Sequence, residues 1–272
     1  MAEHAAGVVG SPIAHSLSPV LHRAAYQALG LDGWTYSRTE VLAGDLARYV
    51  SDLPAHQVGL SVTMPGKPEA VALASEVSQV ARQTGAANTL IATANGWFAE
   101  NTDVVGVQRA LAEGRTPTRA PQNALIVGTG ATAKSVLVAL VGIGVRTIWV
   151  QVRSTVRPDF AELAQSLDAH LMVAGEPTAP IVGIGYAVST APGGSEPASL
   201  AGFDLSDATV LDVAYGQGPS PWARQCAEQG AIAIHGSRML LHQAGEQVRL
   251  MTGFNAPLAA MDQALRAAQQ GE

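Results

Sequence analysis

Cysteine is almost missing from this chain: Cys226 stands alone among 272 residues. A single thiol excludes an intramolecular disulfide and any cysteine-rich metal site. Charge is scarce too, at 14% of residues with a net charge of −6. The Arg and Lys residues are scattered, so the basic stripe that a nucleic-acid binder needs is lacking and no such partner is expected. Long hydrophobic runs are also lacking. The longest strongly apolar stretch, Val136 to Val145, is broken by Gly142 and Gly144 and reaches about half of the ~20 residues that span a bilayer. The first ten residues show no basic segment followed by an apolar one, so no export signal or membrane partner is expected, and the expected location is cytoplasmic. The seven histidines are dispersed, none in a ligand-spaced pair with Cys or Glu, and no metal is expected. Aromatics make up only 5% in an Ala-rich background, a compositional bias that carries no functional information.

Apolar residues, at 47%, are plentiful enough for a well-buried core and too many for a disordered chain. Short β-like runs alternate with helical stretches. Strands are predicted at Ala6–Gly10, Trp34–Glu40 and Val58–Val62, with Thr89–Thr93 and Gly96–Ala99 joined as a hairpin through Ala94-Asn95. Helices are predicted at Pro19–Leu29, with Ser18 as N-cap, and at Ala43–Leu53. The polar, Pro-rich stretch 114–122 marks the neighbourhood of a domain boundary. Beyond it come predicted strands at Asn123–Val127, Thr147–Val152, Leu171–Ala174, Tyr186–Ser189, Thr209–Val213 and Ala231–Ile234, and helices at Ala133–Leu140, Met239–Met251 and Ala256–Gln269. Alternating strands and helices imply a parallel sheet with helices on both faces.

The segment from Asn123 to Ala133 reads as a strand, a G-x-G-x-x-A turn and a helix. Gly128 permits the tight turn, Gly130 lets the backbone approach a pyrophosphate, and the small Ala133 lets the helix pack near the strand. The phosphates would meet N–H groups at the positive end of the helix. An NAD site usually carries an acidic residue about 20 residues further on. Here stand Val152-Arg153-Ser154, with Arg157 close behind. Two guanidiniums at that place suit a 2′-phosphate, which favours NADP over the alternative of two solvated surface groups.

Three polar segments precede this region. In Gly10 to Pro19, Ser16 and Ser18 could hold a small carboxylate, while Ser18 could also simply cap the next helix. In Ser61 to Lys67, a Pro-Gly turn delivers a lysine at the end of a buried-type strand, facing either a cleft or solvent. Asn88-Thr89 and Asn101-Thr102-Asp103 flank the hairpin and could converge, or serve as ordinary turn residues.

SPIAHSLSP (11–19), VTMPGK (62–67), ANTL (87–90), ENTD (100–103), GTGATAK (128–134) and MLLHQA (239–244) together resemble, in order, the signatures of the shikimate dehydrogenase family. The resemblance covers roughly residues 7 to 262. It implies an α/β fold with an N-terminal α/β substrate domain, a Rossmann-type doubly wound parallel-sheet NADP domain, and a cleft between them. The implied boundaries are 1–104, joined by helices from 239–272, for the substrate domain and 105–238 for the NADP domain. It further implies NADPH-dependent, reversible reduction of 3-dehydroshikimate to shikimate in the chorismate route to aromatic amino acids. Lys67 and Asp103 would form the catalytic pair. Ser16 and Ser18 would bind the carboxylate, and Thr63, Asn88, Asp103 and Gln243 the ring hydroxyls. Tyr215 and Gly236 would lie near substrate and nicotinamide. Gly128, Gly130 and Ala131 would cradle the pyrophosphate, with Arg153, Ser154 and Arg157 at the 2′-phosphate. The partner implied is a small-molecule substrate, with a homodimer left open.

The chain departs from the family pattern at Ser61 (often Asn), at Val152 (often Asn), along 188–192, and at Met251 (often Trp). None of these removes a proposed catalytic group. Rival readings are a quinate/shikimate dehydrogenase using NAD, a folate-type methylene dehydrogenase and a non-catalytic NADP-binding regulatory module.

Overall fold

The computed structural model describes residues 3–114, 123–174, 180–216 and 218–271. Most of the Pro-rich stretch 114–122 therefore lies outside the described residues. The chain divides into two compact units, one formed by Met1–Thr102 with Leu240–Glu272 and the other by Asp103–Met239.

The first unit contains β1 (His4–Gly10), α1 (Ser18–Ala28), β2 (Trp34–Glu40), α2 (Leu46–Ser51), β3 (Gln57–Val62), α3 (Lys67–Leu73), β4 (Glu76–Val77), α4 (Gln79–Thr84), β5 (Thr89–Thr93) and β6 (Gly96–Glu100). Its sheet runs β2-β1-β3-β5-β6-β4. This sheet is mixed, and it contains the hairpin read from the sequence. The Ala94-Asn95 turn is the reason, since a two-residue connection can only join antiparallel strands. Thr93 pairs with Gly96 across it, and β5 runs antiparallel to both β6 and β3. In β2, Tyr36 is buried between exposed Thr35 and Ser37, the period-2 pattern of a half-covered strand.

Leu17, Leu21 and Ala25 form one stripe at four-residue spacing and pack on Leu241, Ala244, Val248, Met261 and Leu265. Each leucine buried there contributes roughly 1.5–3 kcal/mol. Two expectations change in detail. Ser18 is the first helical residue and makes no capping bond, Leu17 holding the N-cap position. The helix read as Ala43–Leu53 is confined to α2, because Ala43 and Gly44 form a turn before it.

The second unit contains α5 (Asp103–Ala112), β7 (Asn123–Val127), α6 (Ala131–Gly142), β8 (Thr147–Gln151), α7 (Pro158–Ser166), β9 (His170–Val173), β10 (Ile184–Ser189), β11 (Thr209–Asp212), α8 (Pro221–Glu228) and β12 (Ile232–Ile234). It is followed by α9 (Gly236–Thr252), which crosses the unit boundary, and α10 (Leu258–Gly271). The sheet order is β12-β11-β10-β7-β8-β9, and every pairing is parallel. All four residues of β11, and Ala124–Val127 of β7, are buried, as a sheet covered on both faces requires. Winding reverses between β7 and β10, and the crevice beyond the carboxyl ends of the strands at such a point is where open α/β sheets bind ligands.

Candidate active site

Because β5 runs antiparallel to β3, its amino end lies beside the carboxyl ends of β1 and β3. Three polar loops meet there through the backbone. Ser11 N donates to Met64 O at 2.8 Å, Thr63 N to Val9 O at 2.9 Å, Val62 N to Asn88 O at 2.7 Å and Ala87 N to Lys67 O at 3.0 Å. The loops carrying Ser16 and Ser18, Thr63 and Lys67, and Asn88 are thus one hydrogen-bonded assembly. Arg38 of β2 secures the first of them, donating to Ala14 O and, at 3.3 Å, to Ser16 O. Ser16 Oγ in turn accepts the Ser18 N–H at 3.3 Å.

Asn88 is the buried centre of the assembly. Its Oδ1 accepts from Thr102 N and Thr89 Oγ1, both at 2.8 Å, which fixes the amide orientation. Its Nδ2 donates to Thr102 Oγ1 at 3.0 Å and to Gln243 Oε1 at 3.1 Å. Gln243, on α9, therefore joins the assembly from the far end of the chain. Its own Nε2 donates to Leu240 O at 3.1 Å. Thr63 and Lys67 are half-buried. Lys67 opens α3 after the Pro-Gly turn. Asp103, buried, opens α5 directly after Thr102.

The residue readings above missed a second buried layer. Tyr36 OH donates to Ser61 Oγ at 2.6 Å, Ser61 Oγ to Gln247 Oε1 at 2.8 Å, and Gln247 Nε2 to Asn88 O and Thr89 Oγ1, each at 3.0 Å. Burial pushes the Tyr36 phenol's pKa upward, against the hydrogen bond to Ser61. His22 stacks on Tyr36 with ring centroids 4.0 Å apart and reaches Gln247 Oε1 at 3.3 Å. Burial lowers its pKa to about 3, opposed only by the Gln247 bond, so the ring is neutral. The signal that could have found Gln247 is its place one helical turn after Gln243.

In the second unit, Gly128 follows β7 with φ +98°, and a β-carbon there would stand 2.6 Å from Thr190 Oγ1. That hydroxyl is fixed, donating to Val127 O at 2.8 Å. Gly130 holds the N-cap position of α6 without a side-chain cap, and Ala131 begins the helix. A β-carbon at Gly130 would meet nothing within 4 Å. The N–H groups of the first helical turn have no intrahelical partner, which fits an approaching pyrophosphate.

Arg153 and Ser154 lie exposed on the turn after β8. Arg157, at the N-cap position of α7, places Nε 3.4 Å from Asp159 Oδ1, and Lys134 of α6 places Nζ 3.0 Å from Asp159 Oδ2. Partial burial pulls the Asp159 pKa upward, but the hydrogen bond and charge of Lys134, then those of Arg157, hold it below the ordinary carboxylate value. Asp159 and Lys134 are the neighbours of the arginine cluster that the residue readings passed over. Tyr215 is partly exposed on the loop after β11. Gly236 is enclosed by the carbonyls of Asp212, Val213 and Ala214, and a β-carbon there would lie 2.5–2.9 Å from all three. Among the described residues, no group of three or more His, Cys, Asp or Glu could hold a metal ion, and no helix is long and apolar enough to cross a membrane.

The strand order and glycine turn of the second unit define a dinucleotide-binding Rossmann unit. Comparison with known proteins gives the family. The profile of the shikimate dehydrogenase substrate binding domain matches residues 8–90, and that of the shikimate 5′-dehydrogenase C-terminal domain matches residues 236–266. A shikimate dehydrogenase (NADP+) of Halobacterium salinarum is 35% identical over 96% of this chain and 98% of its own. The crystal structure of Mycobacterium tuberculosis shikimate dehydrogenase superposes with a TM-score of 0.83 at 37% identity, covering 97% of this chain and 99% of that one. Shikimate 5-dehydrogenase of Thermus thermophilus, solved in complex with NADP(H) and shikimate, gives a TM-score of 0.85 at 27% identity over 97% and 99% of the two chains. The chain belongs to the shikimate dehydrogenase family.

Proposed function

We propose that this protein is a shikimate dehydrogenase, reversibly reducing the ring ketone of 3-dehydroshikimate with NADPH in aromatic amino-acid biosynthesis. The observation that carries this reading is the assembly around Asn88, which draws Ser16, Ser18, Thr63, Lys67 and Gln243 from three other segments to one end of a sheet. A small polyhydroxylated ring acid needs this set: hydroxyl donors for a carboxylate and amides for ring hydroxyls. Oxidation of shikimate, followed at the nicotinamide absorbance band, tests it, and no turnover overturns it.

Bound NADPH supplies the hydride. As the ketone is reduced, negative charge gathers on its oxygen. The Lys67 ammonium stabilises that charge and delivers the proton, acting electrostatically and as general acid. In the reverse direction Lys67 takes the proton back. Asp103 completes the catalytic pair and holds a ring hydroxyl. Ser16 and Ser18 bind the carboxylate, while Thr63, Asn88 and Gln243 orient the hydroxyls. Tyr215 and Gly236 border the substrate and the nicotinamide end.

Gly128, Gly130 and Ala131 would hold the pyrophosphate, and Arg153, Ser154 and Arg157 the 2′-phosphate. The cations beside β8 support NADP over NAD, and with it shikimate dehydrogenase over the quinate reading. Residues 1–104 with 239–272 then serve as the substrate domain and 105–238 as the NADP domain. A cytoplasmic location and a homodimer accompany this reading, and size-exclusion chromatography with light scattering tests the latter.

A further inference from the structure

One face of the edge strand β2 serves the loop that precedes α1. Side chains at 36, 38 and 40 share that face; Tyr36 is buried there, while Arg38 and Glu40 are exposed. Glu40 Oε1 accepts the Ser11 hydroxyl at 2.9 Å. Arg38 Nη1 donates to Ala14 O and, at 3.3 Å, to Ser16 O. The loop also closes on itself, Ser16 N donating to Ile13 O at 3.0 Å and Ser16 Oγ accepting the Ser18 N–H at 3.3 Å. Glu40 thus holds the start of the loop, and Arg38 holds the part that carries Ser16.

The Arg38 attachment leaves charge to spare. A guanidinium has N–H donors on all three nitrogens, and both bonds here use Nη1 alone. Arg38 forms no ion pair among the described residues. Glu40, two residues along the same face, is engaged by a neutral hydroxyl. Arg23, from α1, adds a second cation to this strand, with Nη2 3.0 Å from Tyr36 O. The carbonyl that Arg38 grips and the Ser16 hydroxyl belong to one residue. An acid held by that hydroxyl therefore lies within about 10 Å of the guanidinium, roughly one Debye length at 0.1 M salt.

We infer that Arg38 is a positioning and specificity-determining residue for the substrate's acid group, fixing the Ser16 loop through its carbonyls and favouring an anion there by its charge. The inference rests on the proposed role of Ser16. Lysine at this position keeps the charge but loses the planar, pre-organised guanidinium, so the two contributions separate.

Kinetics with shikimate and with its uncharged methyl ester, on the unaltered protein, Arg38→Gln and Arg38→Lys, test the inference. Arg38→Gln should raise the KM for shikimate roughly tenfold or more, the weight of a charge-assisted bond. The kcat should stay within about twofold and the KM for NADP unchanged. The preference for acid over ester in kcat/KM should fall roughly threefold or more in Arg38→Gln and persist in Arg38→Lys. Thermal unfolding should barely move in either variant, since the side chain is exposed. An unchanged shikimate KM in Arg38→Gln would overturn the inference. Equal losses for acid and ester would overturn it too, reducing Arg38 to a loop support. If the unaltered protein oxidises neither compound, the proposed function fails and takes this inference with it. An active unaltered protein with unaffected variants strikes this inference alone.

Discussion

The side-chain oxygen of Asn88 accepts the backbone N–H of Thr102 at 2.8 Å. This bond joins the segment before β5 to the segment after β6, and it turns the Asn88 amide nitrogen toward Thr102 Oγ1 and Gln243 Oε1. Asn88→Asp keeps the shape and the acceptor but removes both donors. We expect a loss of about 2 kcal/mol in urea unfolding, from the buried groups left unpaired, and at least a tenfold fall in kcat/KM for shikimate. Wild-type kinetics in this variant would remove Asn88 from the site.

Lys67→Ala should cut turnover by roughly 10²–10⁴, the usual contribution of a positioned acid. NADP affinity, measured by fluorescence titration, should not change. Near-normal turnover would sink the assignment of Lys67.

The two loop glycines should behave differently. Gly128→Ala places a β-carbon against Thr190 at positive φ and should cost about 1–3 kcal/mol of stability. Gly130→Ala meets open space, so thermal unfolding should barely move while NADP binding weakens at least tenfold. Full NADP affinity in Gly130→Ala would contradict the placement of the pyrophosphate.

Cofactor choice should depend on charge beside β8. Loss of a charge-assisted bond typically costs 1.5–3 kcal/mol, so Arg153→Ala and Arg157→Ala should each raise the KM for NADP roughly ten- to a hundredfold and leave that for NAD nearly unchanged. Asp159→Asn should act oppositely, since it frees Arg157 and Lys134 from a carboxylate that competes with phosphate. Equal changes for NAD and NADP would mean these groups serve only the packing of α6 and α7.

His22 sets an acid limit on stability. Its folded pKa, about 3, lies below the ordinary 6.5, so the unfolded chain binds more protons across that window. Stability therefore falls as pH drops from about 6.5 to 3, by at most on the order of 5 kcal/mol. His22→Gln, which keeps a donor without a titrating ring, should flatten the dependence of the urea midpoint between pH 7 and 4. An identical slope in both proteins would place the acid sensitivity elsewhere.

Much of this fold is legible in local pattern. Trp34–Glu40, Thr89–Thr93 and Asn123–Val127 are strands over the residues their alternation or apolar run marks. The short helices are harder to see. α3 and α4 have seven and six residues, too few for a periodic stripe to show. α8 did carry a start signal, Ser220-Pro221, and Ser220 does accept the Ala223 N–H. In the site, the polar loops announce themselves by motif, but the layer beneath them does not. His22 meets Gln247 across 225 positions, and Ser61 meets it across 186; no local spacing encodes such pairs. Ser18 shows the limit of local rules most clearly. It sits where a cap belongs, yet Leu17 holds the N-cap position and no side chain caps the helix.

The central claim is tested most directly by absorbance at the nicotinamide band with shikimate or quinate, each offered with NADP and with NAD. The account predicts strong turnover with shikimate plus NADP and little with the other three combinations. Turnover chiefly with quinate and NAD would contradict it, and would make Arg153 and Arg157 ordinary surface residues.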